Sequence, residues 1–286
     1  MWIAENVRTN VNPSYIFLTS IKKYAEMFEC NNIYSVWDKR LIRGVKNYRR
    51  LSKNVEYKGT RDEEKNARVF SHEELTTDLL NLLGVKNMYP GILEADDVIY
   101  WLANNIPGNK VVVSVDQDML QLINDETIVY SPIKDVIIDS NNFESSVGVD
   151  RKNFIRYKSL IGDKSDNLPG LDRCGPKTAS KLINECPTDV ELQKKYDENT
   201  LKPYYTNLDL IDLSRGPIHH PDEPVIYEKQ YKNLQSHEPV FDDFIDKCND
   251  VGIRNIPKKS YDWKRVFDDD TKQTLESIVN KLNIPK

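Results

Sequence analysis

Asp166-Asn167-Leu168-Pro169-Gly170-Leu171-Asp172-Arg173-Cys174-Gly175-Pro176-Lys177-Thr178-Ala179-Ser180-Lys181-Leu182-Ile183 is the stretch whose reading decides the fold. Gly170 and Gly175 bracket a tight hairpin, and Pro176 suits the first turn of a helix expected over about 176–185. Backbone amides exposed at such a hairpin, with Lys177 and Lys181 nearby, make a clamp for phosphate that ignores base sequence. An ordinary helical hairpin is the bland alternative.

Just upstream, Asp163 and Asp166 are three residues apart and share a face if the segment turns helically. They extend a set of carboxylates that includes Asp38, Glu94, Asp96, Asp97, Asp116 and Asp118. Asp38 closes the short apolar run Ile33–Trp37, and Asp116 and Asp118 directly follow Val111–Val115, so both groups sit at expected strand ends. Glu94, Asp96 and Asp97 open a helix expected from about Ala95 to Ile106; one acid there is ordinary capping, but three in four residues exceed what capping requires. So many like charges in one cleft are unfavourable without cations, and hard oxygen ligands select Mg²⁺ or Mn²⁺ over zinc. The residues therefore point to metal-dependent phosphoryl transfer.

Composition narrows the class. The chain has 286 residues, 30% of them charged, and a mean hydropathy of -0.61, which describes a soluble globular protein large enough for a sizeable core. No segment approaches the roughly 20 apolar residues of a membrane span, and the first residues lack the basic and apolar regions of a signal peptide. Cys30, Cys174, Cys186 and Cys248 lack CxxC spacing, which fits reduced thiols in a cytoplasm rather than a zinc site or a disulfide framework. The net charge of -5 hides an asymmetry: from Asp38 to Arg61 nine Lys or Arg face two acids. A basic stretch beside an acidic cleft suits a nuclease, although a solvated helix face explains the charge run alone.

Along the chain, Asn12-Pro13 starts a helix with Phe17, Ile21, Ala25 and Phe28 at helical spacing, and Ser71 to Glu74 forms a capping box before Leu75–Leu83. Strands alternating with helices predict an α/β fold with a mainly parallel, covered sheet. After about residue 150 the pattern turns helical, with candidates near 150–161, 176–185, 188–196, 239–250 and 270–283. Pro217–Pro224, with His219 and His220, reads as an exposed loop.

On Val36-Trp37-Asp38, Tyr57-Lys58-Gly59-Thr60-Arg61, Glu94–Asp97, Asp116–Asp118 and Gly162–Lys181, in that order, the chain resembles the structure-specific 5′ nucleases. These are the family of flap endonucleases, phage ribonuclease H and the 5′-nuclease domain of DNA polymerase I. Weaker similarity runs to about residue 213, through Tyr205–Leu213. The resemblance implies a PIN-like catalytic domain over 1–160 with a basic helical arch at about 39–70. It also implies a helical region over 161–286 that carries a helix-hairpin-helix (three-turn) motif at 162–185.

The resemblance further implies a 5′→3′ exonuclease and flap endonuclease acting on branched or flap DNA and RNA–DNA hybrid during replication, phage-encoded and working in the host cytoplasm. Two Mg²⁺ or Mn²⁺ ions would serve the hydrolysis, with Asp38, Glu94, Asp96, Asp116 and Asp118 around the first and Asp97, Asp163 and Asp166 completing the second. A K⁺ ion at the hairpin and a replisome partner such as a single-stranded DNA-binding protein belong to the same expectation. Lys58 and Arg61 are the candidate catalytic cations. Arg43, Lys46, Tyr48, Arg49, Arg50 and Tyr57 of the arch, with Gly170, Gly175, Lys177 and Lys181 of the hairpin, are the candidate DNA contacts.

One departure accompanies the match. Family members begin with a core strand ending in a metal-site aspartate, and nothing before Asn12 resembles it. The expectation is a sheet short of one strand, and the competing reading is a branched-DNA-binding protein that cleaves poorly. A PIN-type ribonuclease would account for the acids but not for the hairpin.

Overall fold

The computed structural model describes residues 12–30, 32–38, 48–49, 57–58 and 72–268. Arg43, Lys46, Arg50, Arg61, Ser71 and the helix expected near 270–283 lie outside the described residues.

Asn12 Oδ1 accepts a hydrogen bond from Ser14 N at 2.9 Å and Pro13 fills the first turn, so α1 (Pro13–Met27) begins at the Asn-Pro pair. Strand β1 (Tyr34–Val36) follows, then α2 (Glu73–Leu82), which stops ahead of Gly84 at φ 76°. Strand β2 (Lys86–Met88) pairs parallel with β1, Tyr34 opposite Lys86 and Val36 opposite Met88. No apolar alternation announces β2. Its polar side chains are satisfied internally: Asn87 accepts from Trp37 Nε1 at 2.8 Å, and Lys86 Nζ donates to Asn32 Oδ1 at 2.6 Å.

The chain continues through α3 (Ala95–Asn105), β3 (Lys110–Val113), a 3₁₀ turn at Gln117–Leu122, β4 (Thr127–Ser131), β5 (Val136–Ile138) and α4 (Phe143–Val147). Next come α5 (Phe154–Ile161), the two-residue strands β6 (Gly162–Asp163) and β7 (Leu168–Pro169), α6 (Pro176–Glu185), α7 (Asp189–Lys195) and α8 (Glu198–Ile211). The remaining helices are α9 (Arg215–His219), α10 (Glu223–Leu234), α11 (Phe241–Asp250) and α12 (Ser260–Phe267). β3 and β4 run parallel, whereas β5 returns antiparallel to β4. The fold is thus helix-rich with small sheets, both longer ladders parallel except for that return strand.

Two compact units divide the described residues: one holds those up to Trp37, His72–Met88 and the residues from Lys229 on; the other holds Asp38, Tyr48, Arg49, Tyr57, Lys58 and Tyr89–Glu228. In the first, α11 packs on α2 and α12 on α1. Val240 N donates to Leu82 O at 2.9 Å, and Trp263 lies 5.7 Å from the Phe244 ring and 5.9 Å from Phe267. Helices α11 and α12 therefore complete a core begun by α1 and α2, a pairing that local periodicity does not reveal.

In the second unit, Met119, Phe143, Phe154, Leu160, Leu201 and Tyr204 belong to one buried cluster. It joins the layer around β4 to the helices α5 to α8. Two helices here run against their sequence signals. Helix α8 continues through Pro203, and α10 carries Pro224 at its second position, within the first turn where proline is tolerated. Pro217–Pro224 is thus the end of α9, a short turn and the start of α10 instead of one loop, with Ile218, His219, Pro221 and Asp222 exposed as expected. His219 ends α9 with its ring stacked on Tyr48 at 4.1 Å.

Candidate active site

The acidic residues enter from several segments of the second unit and converge on the start of α3. Asp38 Oδ1 accepts from Ala95 N at 2.9 Å, so a carboxylate from beyond β1 caps this helix. Asp97 Oδ2 accepts from Glu94 N at 3.0 Å within the same first turn. The turn leading into the helix is held by buried Glu223, which accepts from Gly91 N at 2.9 Å, Ile92 N at 2.8 Å and Tyr227 Oη at 2.6 Å.

Among the described residues, three cations are built into this acidic region. Arg49 spans both oxygens of Asp97, at 2.6 and 2.8 Å, and donates through Nε to Leu210 O at 3.0 Å. Its side chain is 1% exposed, as is that of Asp97. Lys58 Nζ lies 2.9 Å from Glu94 Oε2, the oxygen that also accepts from Tyr57 Oη at 3.0 Å. Burial alone would raise the Glu94 pKa, but Lys58 and Arg49, with hydrogen bonds from Lys58 and Tyr57, hold it below the usual carboxylate value. Lys58 itself takes a left-handed backbone conformation, φ 55°, and its N–H donates to Asp166 O at 3.0 Å.

The third cation is Lys158 on α5. Its Nζ is 2.8 Å from Asp163 Oδ2 and 2.9 Å from Asp118 Oδ1. Asp163 is held further by Ser165, through N at 2.8 Å and Oγ at 2.6 Å, and although burial acts against it, Lys158 and Ser165 keep its pKa low. Asp118 differs. Burial, opposed by Lys158 but helped by Asp116 and Asp163, pushes its carboxyl up to about 6. Asp116 Oδ1 accepts from Asp118 N at 2.8 Å, closing the turn after β3.

The donor set is all oxygen, as Mg²⁺ or Mn²⁺ prefers. Among the described residues, no group of three or more acidic, His or Cys side chains is yet gathered tightly enough to hold an ion. Two observations nonetheless fit a hard cation. Burial drives the Asp96 pKa well above its ordinary value, with Lys58 opposing and Asp116, Asp38 and Glu94 adding like charge. Asp118 Oδ1 is buried, with Lys158 Nζ at 2.9 Å as its partner.

Arg49 and Tyr57 are buried, at 1% and 7% exposure, and Tyr48 is half-buried with its ring stacked on that of His219. Asp97 places both carboxylate oxygens on Arg49. Asp166 is buried beneath Lys58, with its carbonyl engaged. Sequence reasoning passed over Lys158 and Glu223. For Lys158 a signal existed: a lysine one turn after Phe154, on a face otherwise filled by Phe154, Tyr157 and Ile161. For Glu223, three residues past His220 and far from the acids in sequence, none did.

Between α5 and α6, β6 and β7 pair antiparallel, Gly162 opposite Pro169. A Cβ on Gly170 would stand 2.4 Å from Ile161 O, so only glycine lets β7 close against the end of α5. Gly175 is the residue before α6 and has open space around it. Asn207 Nδ2 ties the hairpin down, donating to Ser159 O at 3.0 Å and Pro169 O at 2.7 Å. Lys177 and Lys181 are exposed on α6.

Comparison with known proteins gives a consistent result. A family model described as the 5′-3′ exonuclease N-terminal resolvase-like domain matches residues 3–148, and one described as the 5′-3′ exonuclease C-terminal SAM fold matches 149–212. The 5′-3′ exonuclease of Aquifex aeolicus is 32% identical over 124 residues, 42% of this chain and 43% of that one. That of Halalkalibacterium halodurans is 29% identical over 202 residues, 68% of this chain and 64% of that one. The chain thus spans from less than half to under two thirds of the length of these relatives. Among solved structures, the T5 5′-exonuclease with bound divalent metal ions (zinc) superposes with a TM-score of 0.63 at 19% identity, covering 80% of this chain and 93% of that one. The catalytic core of Rad2 in complex with a DNA substrate gives 0.51 at 18% identity, covering 93% and 87%. At these identities the likeness is one of fold.

Proposed function

Because the chain belongs to the 5′-3′ exonuclease family, we propose that it is a Mg²⁺- or Mn²⁺-dependent 5′→3′ exonuclease and flap endonuclease acting on branched or RNA-primed DNA during replication. The observations that support this reading are the match to both 5′-3′ exonuclease family models and, at the head of α3, Asp38 bonded to Ala95 N with Lys58 at 2.9 Å from Glu94. Bound divalent ions would supply an activated water and neutralise the leaving oxygen. Asp96 and Asp118, whose carboxyl pKa values burial pushes up, are the first-choice ligands, with Asp38 and Asp116 at their side. Lys58 supplies a fixed positive charge for the scissile phosphate, worth most when charge redistributes in the transition state. Lys177 and Lys181, with the amides around Gly175, hold the duplex away from the cleavage point.

The test is cleavage of matched flap, nicked and RNA-primed duplexes, with and without Mg²⁺. Metal-dependent removal of 5′ termini supports the reading. Branched-DNA binding without metal-dependent cleavage would instead make the chain a structure-specific binding protein, and preferential cleavage of RNA hairpins would make it a PIN-type ribonuclease.

A further inference from the structure

Lys158 stands out among the buried charges because it answers two carboxylates at once. It projects from α5 with 5% of its side chain exposed, and it reaches Asp163 Oδ2 at 2.8 Å in hydrogen-bond geometry. It also reaches Asp118 Oδ1 at 2.9 Å, and among the described residues that buried oxygen has no other hydrogen-bonding partner. Asp163 is secured independently by Ser165 N and Oγ, so it would hold its position if the lysine released Asp118. Asp116, bonded to Asp118 N, brings a further negative charge to the same turn.

We infer that Lys158 is a built-in counter-ion for Asp118 and Asp163 that competes with a divalent cation for Asp118. A lysine is a compact point charge on a flexible stem, so its Nζ can keep Asp163 and yield Asp118 with a small shift, which a planar guanidinium could not do as readily. The single charge offsets the repulsion between two buried carboxylates in the metal-free protein, where neither could otherwise stay ionised cheaply. The same charge opposes a divalent ion arriving at Asp118. Metal affinity and metal-free stability are therefore set against one another through one side chain, a reciprocal coupling in the linkage sense. This rests on the metal-dependent reading above.

The test compares the full chain with Lys158→Met and Lys158→Gln, the second retaining hydrogen-bond donors without charge. Mn²⁺ binding is followed by titration with paramagnetic detection, and thermal melts are recorded in EDTA and in Mn²⁺. Both variants should bind the weakest class of Mn²⁺ about tenfold or more tightly than the wild type, because one unit of opposing charge at contact distance is gone. Both should melt lower in EDTA, and Mn²⁺ should close most of that gap. Unchanged or weaker Mn²⁺ binding in folded variants overturns the inference, since Lys158 would then be a structural partner or a support for the ligands. If neither variant folds even with Mn²⁺ present, a divalent ion cannot replace the lysine and the inference also fails. Absence of Mn²⁺ binding by the wild type and both variants alike would instead remove the metal-dependent reading itself.

Discussion

Replacing Arg49 separates the DNA-contact role that the family resemblance implies from the buried ion pair it makes with Asp97. A phosphate contact would weaken DNA binding and leave the fold untouched, whereas the observed geometry makes Arg49 a structural ion-pair partner. Two charge-assisted hydrogen bonds of 2.6 and 2.8 Å join it to Asp97, a third reaches Leu210 O, and each side chain of the pair is 1% exposed. Opposite charges about 4 Å apart at an effective dielectric near 20 attract by roughly 4 kcal/mol, and removing one partner of a buried pair costs about 3–5 kcal/mol because the survivor is left uncompensated. Arg49→Met should therefore lower stability by that amount, read as a fall in the urea midpoint at pH 7. The double variant Arg49→Met/Asp97→Asn should recover at least about 1.5 kcal/mol of the loss, since the stranded carboxylate is gone. A midpoint unchanged by Arg49→Met, together with a shallower salt dependence of DNA binding, would refute the structural assignment.

Other outcomes follow from the same site. In EDTA, Asp118→Asn should stabilise the protein above about pH 6 by up to about 2–3 kcal/mol and leave it unchanged near pH 3. The sign follows from a folded-state pKa raised to about 6: the folded protein holds the proton more tightly than the unfolded chain, so the penalty appears as pH rises through about 4 to 6 and is full above it. Urea melts across pH check it, and a loss of stability at pH 8 would contradict it. Asp116→Asn with Asp118→Asn should abolish hydrolysis while branched-DNA binding persists, and near-normal turnover would exclude these residues as ligands. Lys58→Ala should slow single-turnover cleavage by about 10²-fold with only a modest change in Kd, whereas a defect confined to binding would make it an ordinary cation. Lys177→Ala with Lys181→Ala should flatten the salt dependence of DNA binding by about one to two units of slope, and an unchanged slope would mean that neither lysine meets phosphate.

The legible parts of this chain are those with local signals. The Asn-Pro helix start, the acids at the head of α3 and the glycines around β6 and β7 all reflect backbone requirements of a few neighbouring residues. The partner of each carboxylate was not legible, because pairing depends on segments far apart: Arg49 meets Asp97 across 48 positions, and Glu223 meets Gly91 across 132. An arginine in a basic run reads as a phosphate contact until its burial is seen. Likewise α8 hides behind Pro203, and β2 behind Lys86 and Asn87, whose polar atoms are satisfied only by tertiary neighbours.

The order in which segments build the first unit bears on how the protein is born. Helices α1 and α2 are complete by Leu82, but the helix that packs on α2 begins at Phe241, so about 160 residues must still be synthesised before it exists. At about 5–20 residues per second that interval is roughly 8–30 s. The acidic unit, with all of its described residues between Asp38 and Glu228, emerges within that window. On the ribosome, the part of the protein carrying the candidate chemistry can fold while its neighbour waits with the apolar faces of α1 and α2 uncovered, which makes those two helices the natural point of contact for a chaperone during synthesis.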